Sequence, residues 1–128
     1  MAMPLFLDLD HVMRLHRSLI EHYGGLDGTR DMGLLQSAIA MPQASYGGEL
    51  LHSDIFEMAA AYLYHIVQNH PFLDGNKRTG AAAAIVFLAM NNIQIDNDET
   101  GLVDMTLSVA CGQAGKTEIA EFFRSHAH

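Results

Sequence analysis

The sequence predicts an all-α domain of about six helices, with one short flap near the middle of the chain. Apolar residues recur at helical spacing along almost the whole length, and residues that favour helix starts precede most of these stretches. The 128 residues, of which 49% are hydrophobic and 17% charged, suffice for one domain with a buried core. We therefore expect residues 1–128 to form a single helical bundle.

Two helices are expected before the flap. Asp8 can cap the first helix, which two glycines after Tyr23 should end. Asp31 can cap a shorter second helix, which should stop before Pro42. Helical spacing is then lost from Met41 to Ser53, where proline and paired glycines indicate a loop or small hairpin. We predict that this segment is a mobile flap.

The two most apolar stretches follow the flap. Asp54 and Glu57 have the spacing of a capping box, which would open a helix from about Ile55 to Asn69. A second helix is expected from about Asn76 to Met90. Both are apolar nearly all round, so they should pair in the centre of the bundle.

The last two helices are expected to begin at caps formed by Asp98 and Thr117. No histidines on these or earlier helices have the four-residue spacing of a helical zinc pair. We expect His16 to be a structural residue facing the core and His52 to lie on the surface. Lys116 should be a solvated charge at a helix end.

Composition and charge exclude several function classes. Seven Lys and Arg residues against 15 Asp and Glu give a net charge of -8, which repels a phosphate backbone, so no direct nucleic-acid partner is expected. A single cysteine, Cys111, allows no internal disulfide and suits a reducing cytoplasm. The longest uncharged apolar run, Gly80 to Met90, has 11 residues. A membrane span needs roughly 20, so no membrane partner is expected.

A polar segment separates the two apolar helices and carries most of the reactive side chains. It reads His-Pro-Phe-Leu-Asp-Gly-Asn-Lys-Arg from His70 to Arg78. Phe72, with Leu73, should anchor this loop in the core, because both are large and apolar. Gly75 lets the backbone approach a bound group closely. We expect a rigidly held loop.

The start of the following helix is a predicted anion site. The N–H groups near Asn76 and the positive end of the helix dipole point into the loop, and Lys77 and Arg78 add full charge. Asp74 suits a magnesium ion held by one or two protein oxygens, and ATP with magnesium would match both charges. His70 can serve as a general base for an attacking hydroxyl. These roles together describe transfer from a nucleotide to a hydroxyl.

The run from His70 to Arg78 resembles the Fic motif, H-P-F-x-[DE]-G-N-x-R, at every specified position. Further stretches look like the death-on-curing (Doc) branch of the Fic/Doc family, whose members are toxins of toxin–antitoxin pairs. These stretches are Leu15-His16, Tyr23-Gly24-Gly25, Gly28, Arg30-Asp31, Gly33-Leu34-Leu35, Ser37-Ala38 and Asn76-Lys77-Arg78-Thr79-Gly80. The resemblance implies an all-α Fic fold in which residues 40–53 form the flap that aligns the target.

The resemblance also implies a role for each motif residue. His70 would be the catalytic base, assisted by Lys77 and Arg78, and Asp74 the magnesium ligand. The nucleotide phosphates would be bound by Gly75, Asn76, Lys77 and Arg78.

Two positions depart from the commoner Fic pattern, H-P-F-x-x-G-N-G-R-x-x-R. Lys77 replaces its second glycine and Ala81 its second arginine. In family members that transfer AMP, these two positions shape the pocket for the β and γ phosphates. The departures are typical of Doc toxins, which phosphorylate a threonine of elongation factor Tu and thereby stop translation. The resemblance therefore favours a kinase.

Two alternatives stay open. The same site could transfer AMP, or the chain could be a catalytically weak module that mainly binds its antitoxin. Self-inhibiting Fic proteins carry [ST]-x-x-x-E-[GN], whereas Phe122 follows the similar run from Thr117 to Glu121. We therefore expect the activity to be inhibited by a separate, Phd-like antitoxin, one segment of which folds when it binds.

Overall fold

The computed structural model describes residues 3–128 and confirms the predicted all-α architecture. None of the helices in this part of the chain has the length and apolar character needed to cross a lipid bilayer. The six α-helices are α1 (Leu9–Tyr23), α2 (Met32–Ala40), α3 (Ile55–Asn69), α4 (Asn76–Met90), α5 (Glu99–Ala110) and α6 (Lys116–His126).

Four of the six helices begin at an aspartate, as the sequence predicts. In each case the carboxylate accepts a hydrogen bond from the backbone N–H three residues further on, which satisfies a donor that the helix itself leaves unpaired. The four caps are Asp8, Asp31, Asp54 and Asp98.

Two details of the predicted helix starts are wrong. Glu57 does not complete a capping box with Asp54, because its carboxylate accepts the hydroxyl of Ser53 at 2.6 Å instead. Thr117 is not a cap, since α6 already begins at Lys116 after Gly115. The Glu118 carboxylate accepts the N–H of Gly115 at 2.7 Å and takes over the capping function.

The central helix of the bundle is α3, which contacts α2, α4, α5 and α6. Its inner residues, among them Tyr62 and Leu63, are fully buried. The pairing of α3 with α4 depends on Gly80. A β-carbon there would lie 3.0 Å from Val67 Cγ2 and 3.1 Å from the Leu63 carbonyl oxygen. The small residue lets the two helices approach closely and fixes the position of the loop that joins them.

The segment between α2 and α3 is a small hairpin, which was one of the two forms predicted for it. After a 3-10 turn at Met41–Gln43, strands β1 (Ser45–Tyr46) and β2 (Glu49–Leu50) pair antiparallel. The two glycines between the strands have φ angles of 61° and 84°, values that suit a tight hairpin turn. Tyr46 on the first strand is 86% exposed, whereas Leu50 on the second strand packs against the core.

Candidate functional site

The predicted catalytic loop begins where α3 ends. His70 caps the helix in the left-handed conformation, with φ 52° and ψ 51°, and its N–H donates to the Ile66 carbonyl. Residues with a β-carbon seldom adopt this conformation, so surrounding contacts must hold it. The turn takes the chain sharply out of α3, and the His70 side chain is exposed.

Phe72 anchors the loop as predicted, but Leu73 does not. The Phe72 side chain is 1% exposed and stacks on the His16 ring, with centroids 3.8 Å apart and an angle of 4° between the rings. Leu73 is 52% exposed, because the chain alternates sides after Phe72. Its side chain covers Gly28 instead, where a β-carbon would lie 2.8 Å from Leu73 Cδ1.

Asn76 closes the loop from the inside. Its side chain is 3% exposed, accepts the Phe72 N–H at 2.9 Å and donates to the Phe72 carbonyl at 3.0 Å. Because the amide is buried and bonds the loop through both its oxygen and its NH2 group, the group that Asn76 offers a bound phosphate is its backbone N–H. The side chain predicted among the phosphate ligands thus lies where it shapes the loop.

The segment between α1 and α2 holds the loop from the outside. The N–H groups of Arg30 and Asp31 both donate to the Pro71 carbonyl, at 2.7 and 3.0 Å. The Leu73 N–H donates to the Gly28 carbonyl at 3.0 Å. Sequence reasoning missed this contribution, for which the only signal was the resemblance of Gly28 and Arg30-Asp31 to Doc toxins.

Asp74 follows, with an exposed carboxylate and a fixed backbone. One carboxylate oxygen accepts the Gly75 N–H at 2.9 Å and the other accepts the Leu26 N–H at 3.2 Å. The Asp74 carbonyl accepts Nε2 of the buried His16 at 2.8 Å, which places the ring proton on Nε2. Lone pairs remain on both carboxylate oxygens, so the group fits the magnesium ion that sequence reasoning assigns to it.

The start of α4 has the features of an anion site. Its N-cap is Gly75, with φ 77° and no side-chain cap, and the first helical hydrogen bond runs from the Thr79 N–H to the Gly75 carbonyl. The N–H groups of residues 76–78 precede that bond and point out of the helix start. Lys77 and Arg78 are exposed there, and the Arg78 guanidinium lies 4.2 Å from the centre of the Tyr23 ring.

A cavity of about 640 Å3 opens beside this helix start, between α1, α4 and α5. Its volume is in the range of small-molecule sites. The structure brings five of the predicted site residues together in its walls, namely Asp74, Gly75, Asn76, Lys77 and Arg78. Ala81 lines the same cavity, whereas His70 does not.

A second polar cluster lies away from this loop and was not predicted. We call His52, His65 and Lys116 the buried trio, after the buried His52; His65 and Lys116 are half-buried. Lys116 Nζ lies 3.2 Å from Nε2 of both histidines, and His52 is 6% exposed, so the predictions of a surface His52 and a solvated Lys116 are wrong. The histidine belongs to the segment between β2 and α3, which folds back onto α3 and the start of α6.

The buried trio is held in one protonation state by its surroundings. Burial, reinforced by the charge of Lys116 and then by that of His52, lowers the pKa of His65 to about 4. Burial followed by the charge of Lys116 also lowers the pKa of His52, against the opposing effects of Glu57 and the Met41 backbone. Burial lowers the pKa of Lys116 as well. At neutral pH, two neutral imidazoles therefore accept hydrogen bonds from one ammonium group.

Comparison with known proteins finds one matching family and two named relatives. Residues 6–88 match the model of the Fic/DOC family. The chain is 35% identical over 115 residues to "Protein kinase doc" of Escherichia phage P1, an alignment that covers 90% of each chain. It is 43% identical over 76 residues to "Toxin Doc" of Mycolicibacterium smegmatis, covering 59% of this chain and 58% of that relative. With a family model that matches well over half of its length, the chain belongs to the Fic/DOC family.

Proposed function

We propose that this chain is a Doc-like toxin that transfers the γ-phosphate of ATP to a threonine hydroxyl of elongation factor Tu and so blocks translation. The observation that carries the proposal is the grouping of Asp74, Lys77 and Arg78 around one open helix start beside the cavity. The names of the two relatives, one a protein kinase and the other a toxin, point the same way.

The proposed phosphate site has three kinds of positive group. The N–H groups at the start of α4 are outside the helical ladder, and the side chains of Lys77 and Arg78 are both exposed. Arg78 is steadied by its contact with the Tyr23 ring. Asp74 would hold a magnesium ion, which neutralises phosphate charge when bound. The site thus provides for a polyanion and for its divalent cation.

His70 would act on the acceptor rather than on the nucleotide. A neutral imidazole takes the proton of the threonine hydroxyl as that oxygen bonds to the γ-phosphorus. The bond from phosphorus to the bridging oxygen breaks at the same time, and its electron pair leaves with ADP. Lys77 and Arg78, both exposed at the start of α4, would stabilise the negative charge that develops on the departing ADP.

Lys77 and Ala81 favour phosphate transfer over AMP transfer. They lie one helical turn apart on α4 and both line the cavity. The commoner Fic pattern has a glycine at the first of these positions and an arginine at the second. In this chain the positive charge on this wall of the cavity therefore lies at Lys77, one helical turn before position 81. We infer that this shift changes how the triphosphate lies and presents the γ-phosphate to the acceptor.

The deciding experiment is intact-protein mass spectrometry of elongation factor Tu after incubation with this protein, ATP and magnesium. His70→Ala serves as the inactive control and His65→Ala as the matched one, because both histidines belong to the same stretch of chain. A gain of one phosphate that only His70→Ala abolishes supports the proposal.

The other outcomes of that experiment are equally informative. A gain of one AMP would replace the kinase with an adenylyltransferase at the same site. No gain, followed by no labelled product in a lysate with radioactive ATP, would leave a module that mainly binds its antitoxin. In that case His70→Ala should also leave growth inhibition unchanged.

The partner that restrains the toxin would be a Phd-like antitoxin segment that folds on binding. Apolar side chains that are 36% to 61% exposed line the cavity: Tyr23, Val86, Val103 and Leu107. An amphipathic segment could bury them while it blocks the nucleotide site. Since ATP and elongation factor Tu are both cytoplasmic, the proposal places the protein in the cytoplasm.

A further inference from the structure

The carbonyl groups that end α3 have an unusual partner in the side chain of Arg30. Its Nε donates to the His70 carbonyl at 2.7 Å and its Nη2 donates to the Asn69 carbonyl at 3.0 Å. Arg30 lies 39 and 40 residues away from these groups, in the segment between α1 and α2. One guanidinium thus spans the last two peptide groups before the predicted catalytic loop.

The position of these two carbonyls explains why no helical N–H reaches them. The His70 N–H donates to the Ile66 carbonyl, so the carbonyls of Asn69 and His70 lie beyond the helical ladder. The residue after His70 is Pro71, which has no N–H and cannot continue the helix. Both carbonyls lie at the negative end of α3, where the Arg30 guanidinium, a planar donor, reaches both at once.

The backbone of Arg30 adds a third hydrogen bond to this part of the chain. The Arg30 N–H donates to the Pro71 carbonyl at 2.7 Å, so residues 69, 70 and 71 all give their carbonyl oxygens to Arg30. His70 lies in the middle of these three. With the peptide groups on both sides of it fixed, its φ and ψ have little room to relax into a more favourable region.

We propose that Arg30 is a positioning residue that holds His70 in its left-handed conformation and thereby aims the imidazole at the acceptor hydroxyl. Arg30 is not among the residues that line the cavity beside α4, so we assign it a positioning role rather than a catalytic one. The catalytic part of this proposal rests on the proposed function, whereas the conformational part does not. Loss of the guanidinium would let His70 leave the left-handed region and move its side chain away from the reaction.

The test compares Arg30→Ala and Arg30→Lys with the wild type in two measurements. The first is the steady-state kinetics of phosphate transfer. Because misplacement of a catalytic group by about 1 Å costs about 10²-fold in rate, we expect Arg30→Ala to lower kcat by about that factor. KM for ATP should stay within about twofold, since the phosphate site is untouched. Arg30→Lys, which can reach only one carbonyl, should be intermediate.

The second measurement reports the conformation of His70 without any reaction. In protein labelled with 13C and 15N, the backbone chemical shifts of His70 depend on φ and ψ. They should leave the left-handed range in Arg30→Ala and change less in Arg30→Lys. Arg14→Ala is the matched control, because Arg14 is an exposed arginine that pairs with Asp10 on its own helix. It should change neither the shifts nor the kinetics.

Each outcome decides the proposal. Unchanged His70 shifts in Arg30→Ala overturn it, as does a kcat within about twofold of the wild type despite changed shifts. A large rise in KM for ATP with an unchanged kcat would place Arg30 in nucleotide binding instead. If Arg30→Ala does not fold, the same criteria apply to Arg30→Lys. If the wild type transfers no phosphate, the proposed function fails, and the shifts alone test whether Arg30 holds His70.

Discussion

Two clusters that contain histidine and lysine share helix α3 and have opposite properties. At the end of α3, His70 is exposed and so are Asp74, Lys77 and Arg78 just beyond it. Five residues before His70 on α3, His65 belongs to the buried trio with His52 and Lys116. In the first cluster the charged side chains of Asp74, Lys77 and Arg78 are open to a cavity. In the second, one charged group, Lys116, lies between two neutral imidazoles.

The difference shows that, at the loop, the side chains proposed to react are different from the groups that hold the backbone in place. Apart from the Arg30 guanidinium, the groups that hold the loop are neutral: the Phe72 ring, the Asn76 amide and the backbone bonds to residues 28–31. They leave the charged groups solvated and able to meet a ligand. In the buried trio the charged group is itself the link, and burial lowers the pKa of each member. Such a cluster connects elements but has no room for a substrate.

The largest expected effect distinguishes His65, which lies within α3, from His70, which caps that helix. His70→Ala should lower kcat for phosphate transfer by about 10²- to 10⁴-fold, because it removes the general base. His65→Ala should leave kcat within about threefold, since its side chain contacts Lys116 rather than the loop. Steady-state kinetics at a temperature where both variants are folded makes the comparison. Equal losses in the two variants would mean that His70 acts through the fold and not as a base.

The second prediction concerns the neutral groups that make the loop rigid. Asn76→Ala removes the partners of both the Phe72 N–H and the Phe72 carbonyl, which are buried. Leaving buried polar groups unpaired should lower the free energy of unfolding by about 2–3 kcal/mol. Urea unfolding gives the value, with the exposed Asn97→Ala as control. A loss below about 0.5 kcal/mol would show that water replaces the amide.

The sequence predicts the open cluster far better than the buried one, for a physical reason. The open site comes from nine consecutive residues, whose order places the proposed base, metal ligand and phosphate donors on one loop. The buried trio joins residues 52, 65 and 116, so its existence depends on how the hairpin and α6 fold onto α3. No local spacing encodes that arrangement. Arg30 and His16 were missed as loop contacts for the same reason.

The helix starts also show that contacts between residues close in the sequence are easier to predict. Four aspartate caps were predictable, because each bond joins residues three apart. Thr117 was mistaken for a cap because Gly115 has no side chain to suggest one, and because the Glu118 carboxylate serves it from inside the helix. Leu73 was mistaken for an anchor because its size says nothing of the direction in which the loop turns it.

The third prediction concerns how protonation of the buried trio changes the free energy of unfolding. The pKa of His65 is about 4 in the folded chain against 6.5 in the usual case, so the unfolded chain binds more protons between these values. Stability should therefore fall as pH drops from about 6.5 to about 4. His65 is partly exposed, so its share should be about 1–2 kcal/mol, less than full burial would give.

The matched variant for that titration is His65→Gln, whose amide oxygen can still accept from Lys116 but cannot be protonated. Urea unfolding at several pH values should show a shallower loss of stability below pH 6.5 in the variant. His126, whose pKa is raised by the Phe122 backbone and by Asp98, titrates in both proteins and cancels in the difference. Parallel curves would show that the ring at position 65 stays solvated.

The smallest expected effect is at the open cluster and tests the metal assignment. Asp74→Asn keeps an oxygen that can accept the Gly75 N–H but removes the negative charge and the acceptor of the Leu26 N–H. Because that N–H is exposed and water can accept it, the fold should be unaffected. Affinity for magnesium with ATP should weaken by about tenfold, or about 1.4 kcal/mol, because magnesium prefers carboxylate oxygen. Calorimetry with and without magnesium separates this from a direct effect on ATP, and Asp10→Asn is the control on a remote, exposed carboxylate. Since the Asp74 backbone is fixed through His16 and its side chain is exposed, an unchanged affinity would remove the metal from Asp74 while leaving the phosphate site at the start of α4 in place.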